Sequence, residues 1–174
     1  MLVNDWSPDG RYLFYMNFEK GTPEIWRYDF TRRATEMFAS GAEAQVSPDG
    51  KWVAHLGFTG VGALHVASMS NPSLRIQVSS GSAAQVQWRG DSKELFYIAP
   101  DKKLMAVPIN TKGDMLEAGE PRALFQTRIS EARLTLFQFA ASKDGKRFLI
   151  HSLPREDAAA PLNLLVNWQE ELKK

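Results

Sequence analysis

Apolar side chains fall along this chain in short runs, too short for a helix and bounded by turn formers, which predicts strands. Tyr12-Leu13-Phe14-Tyr15-Met16 is the first such run, and Trp52-Val53-Ala54-His55-Leu56, Leu95-Phe96-Tyr97-Ile98 and Phe148-Leu149-Ile150 follow it. A tight turn precedes each. Ser7-Pro8-Asp9-Gly10 returns intact as Ser47-Pro48-Asp49-Gly50, then in altered form as Arg89-Gly90-Asp91-Ser92 and Ser142-Lys143-Asp144-Gly145, at intervals of 40, 42 and 53 residues. A period of this size means stacked supersecondary units rather than one irregular core.

The turn chemistry identifies the unit. Proline at the second position presets φ, aspartate suits the third and glycine takes the left-handed fourth, so each turn closes a bulged hairpin. Strands are expected before the turns at 2–6, 42–46, 84–88 and 136–141, and after them at 11–16, 51–56, 93–98 and 146–151. Third strands follow at 24–28, 63–67, 103–109 and 162–168, and fourth strands at 35–38, 74–78 and 122–125. Four short strands in about 40 residues make one propeller blade. The blades are expected at 1–40, 41–80, 81–126 and 132–168, the last lacking its outer strand, with a polar tail at 169–174. In the third repeat Gly90 replaces proline and Ser92 replaces glycine, which leaves its turn geometry open. An excursion through 113–119 stretches the last interval.

Composition narrows the partners. With 174 residues, 44% hydrophobic and 24% charged, the chain has the balance of a single soluble globular domain. A net charge of +1 provides no basic field for nucleic acid. There is no cysteine, so neither disulfides nor thiolate metal sites can form. No run approaches the length of a membrane span, and the first residues lack a signal peptide's basic and apolar regions.

The segments Asp5-Trp6-Ser7-Pro8-Asp9-Gly10-Arg11-Tyr12-Leu13 and Gln45-Val46-Ser47-Pro48-Asp49-Gly50-Lys51-Trp52-Val53 resemble the TolB-type, WD40-like β-propeller repeat. More narrowly, the order from Val3-Asn4-Asp5-Trp6 through Glu94-Leu95-Phe96-Tyr97 to Val166-Asn167-Trp168 resembles the C-terminal propeller half found behind kinase or winged-helix domains in bacterial signalling proteins. That resemblance implies an all-β fold and a non-catalytic platform for protein partners, placed outside the cytoplasm, with the cytoplasm not excluded. It implies no cofactor. None of the kinase or DNA-binding motifs occurs in the chain itself.

Tempting constellations have structural explanations. His55, His65 and His151 could be ligands or a base, but two of them sit late in second strands, which favours repeat packing. The glycine-rich stretch 57–62 has no helix after it to aim amides at a phosphate, and Arg89-Gly90-Asp91 occupies a hairpin turn. One aspartate per turn supplies too few oxygens for calcium. Trp6, Trp26, Trp52, Trp88 and Trp168 recur at strand positions and are expected between blades.

Propeller ligands meet the loops at one mouth of the ring and the polar residues of the innermost strands. The loops in question are 17–23, 57–62 and 154–161, with blade connections at 40–43, 79–82 and 127–133. Glu43, Gln45, Gln85, Gln87 and Gln138 are expected to line the channel, with Arg128, Glu131 and Arg133 as the conspicuous charges beside it. Four blades laid out as an arc leave two apolar end faces bare. The expectation is therefore a ring of about six to eight blades, completed by upstream sequence or by a second copy as a homodimer. The leading function is a binding or sensor module for a protein partner or small ligand at the mouth. The enzymatic alternative is a propeller joined to a prolyl-oligopeptidase-like hydrolase, or one with its own site at the mouth. The first form needs a Gly-x-Ser-x-Gly elbow after the propeller, and the chain stops six residues past Trp168. A third reading is a purely structural arc.

Overall fold

The computed structural model describes residues 1–19, 21–57, 62–112, 115–130 and 137–153. It is all-β among these residues, and the hairpins begin at the predicted turns. The fourth turn residue is left-handed in all four, with φ of 72° at Gly10, 72° at Gly50, 61° at Ser92 and 68° at Gly145. Its N–H donates to the first turn residue's carbonyl at 2.8 to 3.0 Å in every case. Serine thus takes the glycine position of the third repeat at the steric cost of a Cβ, and the turn keeps its geometry. Asp9 fixes the first turn from inside: it accepts the Ser7 hydroxyl and the backbone N–H of Arg11.

Blade one is built from β1 (Leu2–Trp6), β2 (Tyr12–Asn17), β3 (Glu24–Asp29) and the first half of β4 (Ala34–Val46), paired antiparallel in sequence order. The second half of β4 is the innermost strand of blade two, followed by β5 (Trp52–Gly57), β6 (Ala63–Ser68) and β7 (Arg75–Ser82). Blade three contains β8 (Ala84–Trp88), β9 (Glu94–Ile98) and β10 (Lys103–Lys112), with β11 (Met115–Ala118) and β12 (Arg122–Gln126) both pairing β10. Blade four is represented by β13 (Phe139–Ala141) and β14 (Phe148–Ile150). The predicted third strand at 162–168 and the tail lie outside the described residues.

Two expectations change. The stretches 40–43 and 79–82 are not loops but parts of β4 and β7, so one 13-residue strand passes directly from blade one into blade two. Gly41 permits this: its φ is 155°, and a Cβ there would sit 2.1 Å from the Leu56 carbonyl oxygen. The excursion at 113–119 contains β11, which doubles back on the far end of β10 with Ile109 opposite Ala118.

Alternation along each strand sends one set of side chains to each neighbouring blade. Phe14 and Ile25 of blade one meet Val53 and Ala67 of blade two. Trp52, Ala54, Leu56 and Val66 leave the other face of blade two to pack on Val86, Leu95, Tyr97 and Val107 of blade three. Phe96, Ile98 and Leu104 then meet Phe139, Phe148 and Ile150 of blade four. Trp52 and Trp88 lie between blades as expected, while Trp6 is 52% exposed and stacks on Phe30.

Candidate functional site

The inner strands carry polar side chains at fixed distances from the turn. Glu43, Gln85 and Gln138 each stand four residues before the first turn residue of their repeat, and Asp5, Gln45 and Gln87 stand two before it. Apolar side chains would be the default in so buried a place. Glu43, Gln85 and Gln138 are nonetheless 1%, 0% and 2% exposed.

Their burial is made tolerable by hydrogen bonds from blade to blade. Glu43 Oε2 accepts the backbone N–H of Gln85 at 2.6 Å, and Gln85 Oε1 accepts that of Gln138 at 2.7 Å. The Gln85 amide also donates to Gln138 Oε1 at 3.1 Å, and the Gln138 amide donates to the Ser130 hydroxyl. Two residues nearer the turn, Asp5 Oδ2 accepts the Val46 N–H at 2.7 Å. Gln87 accepts the Ala141 N–H at 2.9 Å and donates to the Phe139 carbonyl at 2.8 Å. Strand pairing is irregular at these points, and Glu43 and Gln85 have φ of 55° and 57°. Such a bulge re-aims a side chain out of the normal pleat. Here both side chains reach the backbone of the next blade.

Glu43 is the exception in this ladder. Its Oε1 is buried without a hydrogen-bond partner among the described residues. Burial pushes its carboxyl up to about 7, against the lowering effect of the Gln85 and Val86 N–H groups. Asp5 is also raised, again chiefly by burial. Another buried titratable group, His55, stacks on His65 with ring centroids 5.7 Å apart, and neither of its ring nitrogens finds a hydrogen-bond partner among the described residues. Burial first and the neighbouring His65 second hold it down to about 4. By strand register His55 is the counterpart of Tyr15 and Tyr97, each two residues past the first cross-strand partner of its hairpin, and not of the exposed His151. Among the described residues no group of three His, Asp or Glu side chains could hold a metal ion.

At the inner strands of blades three and four a pocket of about 300 Å³ opens over this ladder, lined by Gln87, Phe137, Gln138, Ala140, Leu149 and His151 among others. Phe137 and Leu149 are 43% and 77% exposed, so apolar rims surround amides and an imidazole. Such a setting offers shape and hydrogen bonds to a partner's side chain or a small polar ligand. Two of the expected site residues, Gln87 and Gln138, line this pocket. Glu43 and Gln85 are tied into the ladder beside it, and Gln45 is half-buried with its carbonyl accepting the Trp88 indole N–H at 3.1 Å. Arg128 is exposed and its carbonyl holds the Leu153 N–H at 2.8 Å. Glu131 and Arg133, with the loop residues 58–61 and 154–161, lie outside the described residues. Asp5, Phe137 and Leu149 escape sequence reasoning, although counting back two residues from each turn would have found Asp5; Ser130 falls in the expected connection 127–133, and His151 is expected only as a ligand or base.

No family description matches the sequence, and no curated protein matches it. Solved structures do resemble it. TolB from Acinetobacter baumannii aligns with a TM-score of 0.63 at 22% identity, over 80% of this chain and 34% of that one. A Bacteroides uniformis protein described as a candidate 6-phosphogluconolactonase aligns at 0.54 and 15%, over 86% and 47%. A candidate TolB from Agrobacterium tumefaciens gives 0.51 and 14%, over 67% and 47%. The chain therefore spans between about a third and a half of these structures' lengths. At such identities the likeness is one of fold, and the fold is a partial β-propeller that resembles those of TolB.

Proposed function

We propose that this propeller is a binding module that holds a protein partner or small ligand over the inner strands of blades three and four, in the manner of a sensor domain of a signalling protein outside the cytoplasm. The observation carrying this reading is the pocket at Gln87 and Gln138, where exposed Phe137 and Leu149 flank amides already fixed by the ladder. Rigid polar groups beside exposed apolar ones suit recognition, because little side-chain freedom is lost on binding. A photo-crosslinking residue placed at Leu149 tests it in extract of the native cells. A discrete adduct at Leu149, and none from the same residue at Arg32 on another blade, is the expected result. Equal labelling at the two positions, or none at Leu149, would overturn it.

An enzyme with its site at the mouth has one observation in its favour. Glu43, with its carboxyl near 7, is suited to giving and taking protons at neutral pH. Its hydrogen-bond partners are backbone N–H groups, and among the described residues no nucleophile or metal ligand is bonded to it. Turnover of a lactone or ester by the wild-type chain, lost in Glu43→Gln, would favour this reading over binding.

A further inference from the structure

The two ends of the blade series present apolar faces. In β2 and β3 the side chains of Phe14 and Ile25 turn toward blade two, so Tyr15, Trp26 and Tyr28 turn outward, and Trp6 stacks on Phe30 beside them. The one charged residue at the outward positions of these two strands, Glu24, accepts the Trp26 indole N–H at 3.0 Å. Aromatic side chains with little charge among them are the composition of an interface core. In blade four Phe148 and Ile150 turn toward blade three, so Leu149 and its cross-strand partner Ala140 turn away, and Leu149 is 77% exposed.

Inner-strand hydrogen bonds decide which faces suit each other. Between consecutive described blades, a side chain of the earlier blade accepts a backbone N–H of the later one: Asp5 from Val46, Glu43 from Gln85, and Gln87 from Ala141. Val46 and Ala141 stand immediately before their turns, and their counterpart in blade one is Trp6. The Trp6 N–H is already held by Asp5 Oδ1 of its own strand at 2.8 Å. At the other end of the series, the residue two before the turn is Ala140, which has no side-chain acceptor, and the Gln138 amide is bonded to Gln85 and Ser130. A blade carrying an acceptor at that position would find the Trp6 N–H taken. Blade four carries none and brings Leu149 instead, so it matches the face of blade one. Propeller rings hold about four to eight blades, and four blades of an eight-bladed ring turn through about half a circle. Two copies placed head to tail therefore meet at two identical junctions and close.

We propose that the protein partner held at the Gln87 and Gln138 pocket is a second copy of this chain, whose blade one lays Trp6 and Phe30 against Leu149 of blade four and completes an eight-bladed ring. This rests on the reading of that pocket as a binding site and names its occupant.

Sedimentation equilibrium of the purified 174-residue chain and two variants tests it. The wild type is expected to form dimers and nothing larger. Trp6→Lys with Phe30→Lys, and separately Leu149→Glu, should each weaken the dimer about thirtyfold or more, the loss expected on removing an anchor from an interface. All three positions are exposed, so both variants should keep the urea midpoint of the wild-type monomer. An equimolar mixture of the two variants should dimerise again, because one junction is then intact and the other sets lysines against a glutamate. A wild type that stays monomeric, variants that dimerise as well as the wild type, or a mixture that recovers nothing would each overturn the proposal. The photo-crosslinking residue at Leu149 separates this from the binding reading, since in the purified chain it should give a covalent dimer. An adduct formed only in cell extract, with a different protein, would overturn the second copy and leave the binding site standing, and no adduct in either setting would remove both.

Discussion

Glu43 and Gln85 occupy the same place in consecutive blades, and the first holds the backbone of the second: Glu43 Oε2 accepts the Gln85 N–H at 2.6 Å. Gln85 treats Gln138 the same way and adds an amide-to-amide bond that Glu43, lacking an N–H, cannot copy while ionised. Its carboxyl is raised from 4.5 to about 7 by burial, so the folded state prefers it protonated. The stabilisation this brings is fully present below the unfolded value near 4.5 and is lost as pH rises through 7. A shift of that size corresponds to about 3 kcal/mol at most. Glu43→Gln should be as stable at pH 8 as at pH 5 in this respect, and more stable than wild type at pH 8. Urea unfolding of the two proteins at both pH values checks it, and parallel pH profiles would refute it.

His55 works in the opposite sense. Its imidazole is depressed from 6.5 to about 4, mainly by burial and then by stacked His65, so protonation is resisted only while the blades stay together. Stability from this residue is intact above pH 6.5 and is lost as pH falls through 4, again up to about 3 kcal/mol. The counterparts Tyr15 and Tyr97 show that the repeat accepts an aromatic ring here. His55→Phe should therefore remove much of the acid sensitivity, seen as a higher melting temperature than wild type at pH 4.5. A lower one would mean that the imidazole has a partner in the folded state.

Gly41 and Gly81 stand near equivalent blade junctions but meet different surroundings. A Cβ on Gly41 would lie 2.1 Å from the Leu56 carbonyl and 3.1 Å from His55 Nδ1, whereas one on Gly81 meets nothing within 4 Å. Gly41→Ala is expected to cost about 2 to 4 kcal/mol, since backbone must move where β4 crosses between blades. Gly81→Ala should change stability by less than about 0.5 kcal/mol. Equal losses in the two would contradict the close approach.

The hairpins could be read from the sequence because their cause is local: Asp9 and its equivalents bond within the turn they specify. Even the irregular third turn closes, because Ser92 accepts a left-handed φ and its hydroxyl takes the Asp49 N–H at 3.1 Å, a contact made by blade two that no local pattern reveals. The polar inner positions were legible as a group, since glutamines recur at a fixed distance from the turn. Their roles were not, because Glu43, Gln85 and Gln87 spend their hydrogen bonds on the backbone of another repeat 42 to 54 residues away. The continuity of β4 was missed for a related reason. Ser40 to Glu43 has the composition of a loop, and only the Leu56 carbonyl against Gly41 makes it strand.

The outer face of blade one supplies the last expectation. Leu13, Tyr15 and Tyr28 are half-buried there, while their counterparts Val53, His55 and Ala67 in blade two, and Leu95, Tyr97 and Val107 in blade three, are covered by the preceding blade. Trp6 stacks on Phe30 at 5.1 Å on this face, Tyr28 meets Phe30 edge-on, and Met37 is 44% exposed beside them. Each large apolar side chain left in water forgoes about 1.5 to 3 kcal/mol, so a face with this many calls for a further sheet, from another segment or another copy. The isolated chain should therefore enhance the fluorescence of a hydrophobic dye and sediment with concentration-dependent self-association. Trp6→Lys with Phe30→Lys should reduce both signals with little change in the urea midpoint, because the two rings stabilise each other more than the core beneath. A monomer that leaves the dye dark would show that the face is already covered within this chain.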